Sequence, residues 1–293
     1  MRTPLVSVLM TAYNREKYIA EAIESVIAST FKNFELIIVD DCSSDRTVEI
    51  AKGYVARDSR VSVHVNEKKL GDYPNRNRVA SLARGEFIKY LDSDDTIYPY
   101  GLQMMVDCMR AFPDAGLGLS QPASGRMRYP VCLSPHEAYE RHFLGGGLFN
   151  NGPLSAIIRR ECFEEVGRFS GKRFVGDFEL WLNLARYRGV VLMPMGLTWW
   201  RSHGEQEMTH EVSSRAAIGP RVKLIRAALD HSDCPLTRDQ VHAALRAART
   251  GHAQQVLSIM RRGHLREAVG LIKASRLEFL DLCRGLVASA LKR

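Results

Sequence analysis

The sequence contains no long hydrophobic run. Although 45% of its 293 residues are hydrophobic, no apolar stretch approaches the ~20 residues that a membrane-crossing helix needs. The apolar stretch at residues 5–10 is too short for the core of a signal peptide, and polar residues follow it. The sequence therefore predicts a cytoplasmic protein, with no integral membrane segment.

Closely spaced cysteines are also missing. The six cysteines are scattered along the chain, and no two of them stand at the short spacing of a zinc or redox motif. We expect free thiols in a reducing compartment, since disulfides are rare there. The pattern gives no reason to expect a zinc site or a catalytic cysteine.

An excess of positive charge is present only toward the C-terminal end. Residues 221–293 hold 14 Lys or Arg against 6 Asp or Glu, whereas residues 1–220 hold 27 of each. Such an asymmetry indicates a change of domain. We place the boundary between a first domain at 1–212 and a basic helical region at 213–293.

Apolar strands alternate with amphipathic helical stretches in the first ninety residues. The predicted strands are residues 5–11, 34–40, 61–65 and 87–91. Strand–helix alternation predicts a Rossmann-like, doubly wound and mostly parallel sheet. For residues 116–152 the pattern predicts no regular element, and from about residue 213 only helical periodicity remains.

Polar clusters follow three of these strands, at residues 11–14, 40–41 and 92–95. The carboxyl ends of parallel strands meet at one edge of the sheet, where open α/β sheets bind ligands. Clustered carboxylates repel one another, and their hard oxygen atoms suit Mg²⁺ or Mn²⁺. The alternative is a solvated turn, in which one of the last two carboxylates caps a helix that begins near Tyr98.

The order of these motifs is similar to that of the family 2 glycosyltransferases, which are inverting enzymes with the GT-A fold. The matching segments are residues 6–14, 34–45 and 75–95, within a resemblance that covers residues 4–205. Cys42 stands where Gly is commoner in the family. The family's processive synthases carry membrane helices and a Gln-x-x-Arg-Trp signature. This sequence has neither, so the resemblance implies the addition of a single sugar.

The resemblance implies a donor site for a nucleoside-diphosphate sugar, with UDP-sugar as the default. Thr11, Tyr13, Asn14 and Asp41 would bind the nucleotide, because a carboxylate can accept from a uracil-type N–H beside an aromatic ring. Arg76 would lie near the diphosphate. The alternatives are a strand-end turn for Asp41 and a surface helix cation for Arg76.

The same resemblance implies a metal site of the DXD type. Asp95 would be the direct ligand of Mn²⁺ or Mg²⁺, Asp94 would ligate it or lie nearer the ribose, and Asp92 would support both. His203 would be a third ligand or would contact the diphosphate, with a structural role as the alternative. The metal would bridge both phosphates and stabilise the departing nucleoside diphosphate.

Inversion by direct displacement also needs a base for the acceptor hydroxyl. The family usually has a Glu-Asp pair at this place, and this chain has Gly176-Asp177, so Asp177 is the candidate base. The alternative is that Asp177 caps a helix that begins at Phe178. Glu179 is the fallback candidate for the base. Trp181 is a candidate for an acceptor platform, and the alternative is that this large aromatic residue belongs to the core.

Two interpretations of the basic C-terminal region stay open. Its helices would lie on the anionic inner face of the membrane and bring the enzyme to a lipid-linked acceptor. Alternatively they form a bundle that docks on the catalytic domain or on a second copy of the chain. Nucleic acid is not an expected partner, since no reader motif is present.

The leading function is metal-dependent transfer of one sugar to a hydroxyl of a glycan, a lipid-linked or a small-molecule acceptor, as in polysaccharide biosynthesis. A nucleotidyltransferase would need a Gly- and Lys/Arg-rich phosphate loop after the first strand, which residues 11–15 lack. A catalytically degenerate nucleotide- or glycan-binding module is the third reading. The retention of Asp94, Asp95 and Asp177 argues against it.

Overall fold

A central sheet of eight strands organises the computed structural model, which describes residues 3–122, 128–204, 216–275 and 277–290. Its strands are β1 (Val6–Ala12), β2 (Phe34–Asp40), β3 (Val61–Val65), β4 (Phe87–Tyr90), β6 (Ala115–Ser120), β7 (Val131–Leu133), β8 (Ala156–Arg159) and β9 (Gly189–Met193). The order across the sheet is β3-β2-β1-β4-β8-β6-β9-β7, and β7 and β8 run opposite to the other six. A separate antiparallel pair is formed by β5 (Thr96–Ile97) and β10 (Thr198–Trp199).

Helices connect the parallel strands, as the alternation predicted. They are α1 (Ile19–Ile27), α2 (Thr47–Val55), α3 (Asp72–Ala80), α4 (Gly101–Arg110), α5 (Pro135–Phe143), α6 (Arg160–Glu165) and α7 (Gly176–Tyr187). One face of α1 is apolar and buried, because Ile19, Ala22, Ile23 and Val26 recur at helical spacing. The doubly wound, mostly parallel architecture is confirmed.

Strand β6 lies in the segment for which the sequence predicted no regular element. It is buried along its whole length. A Cβ atom at Gly118 would lie 2.8 Å from Met109 Sδ, so this strand needs glycine where its neighbours press against it. The sequence of β6 lacks a clear apolar strand pattern, because its glycines have no apolar side chains.

Glu35 and Lys89 are charged residues that lie buried inside the sheet. Glu35 of β2 accepts from Ser7 Oγ at 2.7 Å and pairs with Arg84 at 2.6 Å. Lys89 of β4 donates to the carbonyl oxygens of Tyr90, at 2.8 Å, and of Leu154. Burial lowers the pKa of Lys89 to about 7. Each buried charge is therefore held by specific polar partners.

The described residues form two compact units, and the second comprises residues 136–149, 216–275 and 277–290. Its C-terminal helices are α8 (Ile218–Leu229), α9 (Arg238–Arg261), α10 (Leu265–Ser275) and α11 (Phe279–Ala290). The predicted all-helical character is confirmed for the described residues of this region, and Gly263 (φ 88°) lies between α9 and α10. No helix in the described ranges is long and apolar enough to span a bilayer. The predicted boundary at residue 212 lies outside the described residues.

Candidate active site

The loops after β1 and β2 meet at the carboxyl edge of the sheet. Asn14 N donates to Ser43 Oγ at 2.8 Å, and Asn14 Oδ1 accepts from Ser44 N at 2.9 Å. Asn14 has φ 52°, a left-handed conformation that asparagine tolerates. Its side-chain oxygen thus ties the two loops together, so any nucleotide contact of Asn14 would involve its remaining groups.

Asp41 holds the segment between β3 and α3 against this edge. Its Oδ1 accepts from Asn66 Nδ2 at 2.9 Å and from Leu70 N at 2.7 Å, and its Oδ2 accepts from Gly71 N at 2.8 Å. Asp41 is buried, which makes these bonds important for the placement of residues 66–71. It is therefore more than a strand-end turn residue.

Tyr13 is exposed beside this segment. Lys69 Nζ lies 3.4 Å from the centroid of the Tyr13 ring, a cation–π contact. Thr11 lies near the end of β1 and is half-buried. Strand and helix patterns in the sequence did not identify Lys69. Its contact with Tyr13 depends on the conformation of residues 66–71, which Asp41 holds in place.

Cys42 has a backbone conformation that favours glycine. Its φ is 66°, and left-handed conformations cost non-glycine residues roughly 1–2 kcal/mol. Its Sγ also contacts Asn66 O at 3.2 Å. A positive φ at this position explains why glycine is commoner here in the family 2 glycosyltransferases.

We expect Cys42→Gly to be more stable than Cys42→Ala. Both substitutions remove the thiol, but only glycine relieves the positive φ, so the free energies of unfolding should differ by about 1 kcal/mol. Urea denaturation of the two variants measures the difference. Equal stability of the two variants would show that residue 42 carries no strain.

Arg76 of α3 is buried between two carboxylates. Its Nε lies 2.7 Å from Asp72 Oδ1, and its Nη2 lies 2.8 Å from Asp92 Oδ1. The alternative reading of Arg76 as a surface cation is wrong, because the ion pairs and the ring of Tyr90 enclose it. Its Nη1 is buried and has no hydrogen-bond partner within the described residues. An unused buried donor of this kind suits an anionic ligand.

Asp94 and Asp95 lie against residues that approach from distant parts of the chain. Asp94 Oδ2 accepts from Arg15 Nε at 3.0 Å and lies 3.0 Å from His203 Nε2. Asp95 Oδ1 accepts from Arg201 N at 2.9 Å. Burial raises the pKa of Asp95 to about 7. The structure therefore places His203 against Asp94 and the backbone of Arg201 against Asp95.

The helix-cap reading of these carboxylates is wrong. Helix α4 begins at Gly101 rather than near Tyr98, and its N-terminal residue Tyr100 makes no side-chain cap bond. Asp94 and Asp95 instead contact Arg201, in the segment that contains β10. Arg201 Nε donates to Asp94 O at 2.9 Å, and its Nη2 pairs with Glu21 at 2.6 Å.

The donor set at the Asp cluster fits a cation that is shared with a phosphate ligand. In the part of the chain that the structure describes, no three His, Cys, Asp or Glu side chains form a ready metal cage. Mg²⁺ is commonly held by one or two carboxylates, waters and substrate phosphates, so a complete protein cage is not required. Asp95 is a buried carboxylate with a raised pKa, and a bound cation would stabilise its charged form.

Asp177 lies in the first turn of α7, which begins at Gly176 rather than at the predicted Phe178. Its Oδ1 accepts from Phe178 N at 2.8 Å, and burial raises its pKa. The N-terminal flanking residue of α7 is Val175, so Asp177 is the second helical residue and not the cap. The positive end of the helix favours its negative charge.

Two other residues predicted near the acceptor are placed differently. Glu179 Oε1 pairs with Lys172 at 2.5 Å, and its other oxygen accepts from Ser170 Oγ. Trp181 is fully buried and donates to Asn151 O at 2.8 Å. The acceptor-platform prediction for Trp181 is therefore wrong, because its ring is part of the core.

Helix α3 links the Asp cluster to Asp177. It carries Arg76, which pairs with Asp92, and Tyr73, whose hydroxyl lies 3.5 Å from Asp177 Oδ1. Sequence reasoning missed Tyr73, as it missed Arg15 and Lys69. The sequence signal for these three residues was their position in the chain, because they follow β1 and β3, whose ends lie at the same edge of the sheet.

The fold belongs to a known structural class. The structure aligns with the crystal structure of Staphylococcus aureus TarS 1-349 in complex with UDP, with a TM-score of 0.61, 21% identity, and coverage of 84% of this chain and 71% of that one. It aligns with the mannosyltransferase PcManGT of Pyrobaculum calidifontis in complex with GDP-Man and Mn²⁺, with a TM-score of 0.63, 18% identity, and coverage of 100% and 87%. These likenesses establish the GT-A fold.

Residues 7–167 match the model of Glycosyl transferase family 2, and the chain belongs to this family. Glycosyltransferase GlyG of Streptococcus pneumoniae serotype 4 is 30% identical over 187 residues, which are 58% of this chain and 62% of GlyG. The putative teichuronic acid biosynthesis glycosyltransferase TuaG of Bacillus subtilis is 30% identical over 191 residues, 62% of this chain and 73% of TuaG. The match thus spans less than two thirds of the length of GlyG.

Proposed function

We propose that this chain is a metal-dependent, inverting glycosyltransferase that moves one sugar from a nucleoside-diphosphate sugar to a hydroxyl group. The observation that carries the proposal is that residues of α3 contact both the Asp cluster and Asp177. Arg76 contacts the Asp cluster, and Tyr73 contacts Asp177. A donor site and a candidate base are thereby held by one helix, which is the arrangement that direct displacement needs.

The nucleotide would bind at the ends of β1 and β2. Thr11, Tyr13 and Asn14 line the first of these ends, and Asp41 lies at the second. Asp41 already accepts three hydrogen bonds from residues 66–71, so the base would contact it together with this segment. UDP-sugar remains the default donor. TarS in complex with UDP and PcManGT with GDP-Man make both bases worth testing.

The diphosphate would lie between Asp95 and Arg76. Asp95, with Asp94 and His203 beside it, would hold Mn²⁺ or Mg²⁺, which supplies a positive charge for the leaving diphosphate when it is bound. Arg76 Nη1, the buried donor without a partner in the described chain, would donate to a phosphate oxygen. The ion pairs of Arg76 with Asp72 and Asp92 keep its guanidinium in place.

Asp177 would accept the proton of the acceptor hydroxyl. The acceptor oxygen attacks the anomeric carbon, the bond from that carbon to the diphosphate breaks, and the hydroxyl proton moves to Asp177. Burial raises the pKa of Asp177, and a more basic carboxylate is a better proton acceptor. One displacement inverts the anomeric centre, and no covalent sugar–enzyme intermediate forms.

Our proposal is less specific for the acceptor and the cellular setting than for the donor. We propose a glycan, a lipid-linked or a small-molecule acceptor and a non-processive reaction in the cytoplasm, in line with the polysaccharide role in the name of TuaG. The catalytic domain at 1–212, peripheral membrane contact through the basic helices of 213–293 and homo-oligomerisation stay proposals of the same kind.

Calorimetric titration with UDP, GDP and dTDP, each with and without Mn²⁺, tests the donor site. We expect one nucleotide to bind, and to bind more tightly with the metal. Binding that Mn²⁺ does not change would contradict the metal role. The absence of binding to all three would favour a degenerate module over an enzyme.

A further inference from the structure

Gly176 faces the ring of Tyr73. A Cβ atom at residue 176 would lie 2.7, 2.8 and 2.9 Å from Cζ, Cε2 and Cε1 of that ring. Tyr73 is buried and packs against Phe169, with ring centroids 5.1 Å apart, so its ring is not free to move aside. The glycine that replaces the family's usual glutamate is therefore the residue that Tyr73 permits at this position.

The Tyr73 hydroxyl is anchored to the first turn of α7. Its oxygen accepts from Gly176 N at 3.1 Å and from Asp177 N at 3.3 Å. The hydroxyl proton remains available to donate, and Asp177 Oδ1 lies 3.5 Å away, at the outer limit of a hydrogen bond. Burial and the nearby carboxylates raise the pKa of Tyr73, which keeps the hydroxyl neutral and able to donate.

We propose that Tyr73 is a positioning residue for Asp177, and that Tyr73 and Gly176 together replace the carboxylate that this family usually has beside its base. The inference rests on the proposed function, since it takes Asp177 as the base. Tyr73 fixes the turn that carries Asp177 and favours its ionised form, which is the form that accepts a proton. Among the described residues, Arg76 and Asp72, both on α3, also act electrostatically on Asp177.

Tyr73→Phe keeps the ring and removes only the hydroxyl. We expect kcat to fall about tenfold, the effect of one lost hydrogen bond, while the KM for the donor stays unchanged. The acidic limb of the pH–rate profile should move to higher pH. Loss of a donor to the carboxylate raises the pKa of Asp177, so a higher pH is needed to ionise it.

Tyr54→Phe is the matched control. It removes a tyrosine hydroxyl that bonds to Glu24 and makes no contact with Asp177, so its pH–rate profile should equal that of the wild type. A Tyr73→Phe enzyme with wild-type kcat and an unmoved acidic limb would overturn the inference. If Asp177→Asn abolishes transfer while Tyr73→Phe changes nothing, only the positioning role fails. If Asp177→Asn is fully active, the proposed base itself fails.

A double-mutant cycle in thermal unfolding tests the Tyr73–Gly176 pair without any activity measurement. Gly176→Ala should lower Tm in the wild type, because the new methyl group clashes with the ring. In a Tyr73→Ala background the same substitution should raise Tm, because alanine is the better helix former. The same change in Tm in both backgrounds would contradict the pairing.

Gly176→Glu restores the residue that the family usually has. We expect it to inactivate the enzyme when Tyr73 is present and to regain part of the lost activity when combined with Tyr73→Ala. A double variant no more active than Gly176→Glu alone would show that the two positions are not exchangeable.

Discussion

Asp177→Asn is expected to leave the donor bound and to remove sugar transfer. The amide has nearly the same shape as the carboxylate and can still accept from Phe178 N, so the turn of α7 should keep its conformation. It cannot accept a proton from the acceptor hydroxyl. A positioned base contributes ~10²–10⁴ to the rate, and kcat should fall by about that factor.

Glu179→Gln is the control for this substitution, because Glu179 is also an acid of the first turn of α7 but pairs with Lys172. Release of nucleoside diphosphate in the presence of acceptor measures transfer for both variants, and calorimetry measures donor binding. An Asp177→Asn enzyme near the wild-type rate would make Asp177 a residue of the helix terminus only. A Glu179→Gln enzyme with the larger loss would move the base to Glu179.

Asp95→Ala is expected to abolish the part of nucleotide binding that depends on metal. Asp95 is a buried carboxylate of the cluster, and the substitution removes the proposed direct ligand. We expect affinity in Mn²⁺ to fall about 100-fold, toward the value without metal, which corresponds to ~2.7 kcal/mol.

The control is Asp114→Ala, which removes an exposed carboxylate before β6. Titration of each variant with the preferred nucleotide, with and without Mn²⁺, separates the metal effect from a general loss of folding. If Asp95→Ala kept a wild-type response to Mn²⁺, the metal would be bound elsewhere.

Much of the fold could be predicted because local patterns and the global arrangement agree. Strands β1, β2 and β4 are buried on both faces and are mostly apolar, although Glu35 and Lys89 interrupt β2 and β4. Polar residues then end each run, so the edge that carries Asp41 and Asp95 could be deduced from the sequence before any coordinates. Strand β6 could not, because its glycines hide its periodicity.

The contacts that turn this edge into a site could not be predicted in the same way. Arg15 and Asp94 are 79 residues apart, and Tyr73 and Asp177 are 104 apart, so no local pattern relates the partners. The burial of Arg76 depends likewise on Asp92, which approaches it only in the folded sheet. Family resemblance identified the candidate base but not the residue that holds it.

A crystal structure of the protein with UDP and Mn²⁺, or with whichever nucleotide binds best, tests the central claim most directly. The anomalous signal of manganese locates the metal without reference to the protein. We predict one manganese peak bonded to Asp95 and to oxygens of the diphosphate, with the base beside Tyr13 and Asp41. A nucleotide bound away from the ends of β1 and β2, or manganese on other side chains, would contradict the account.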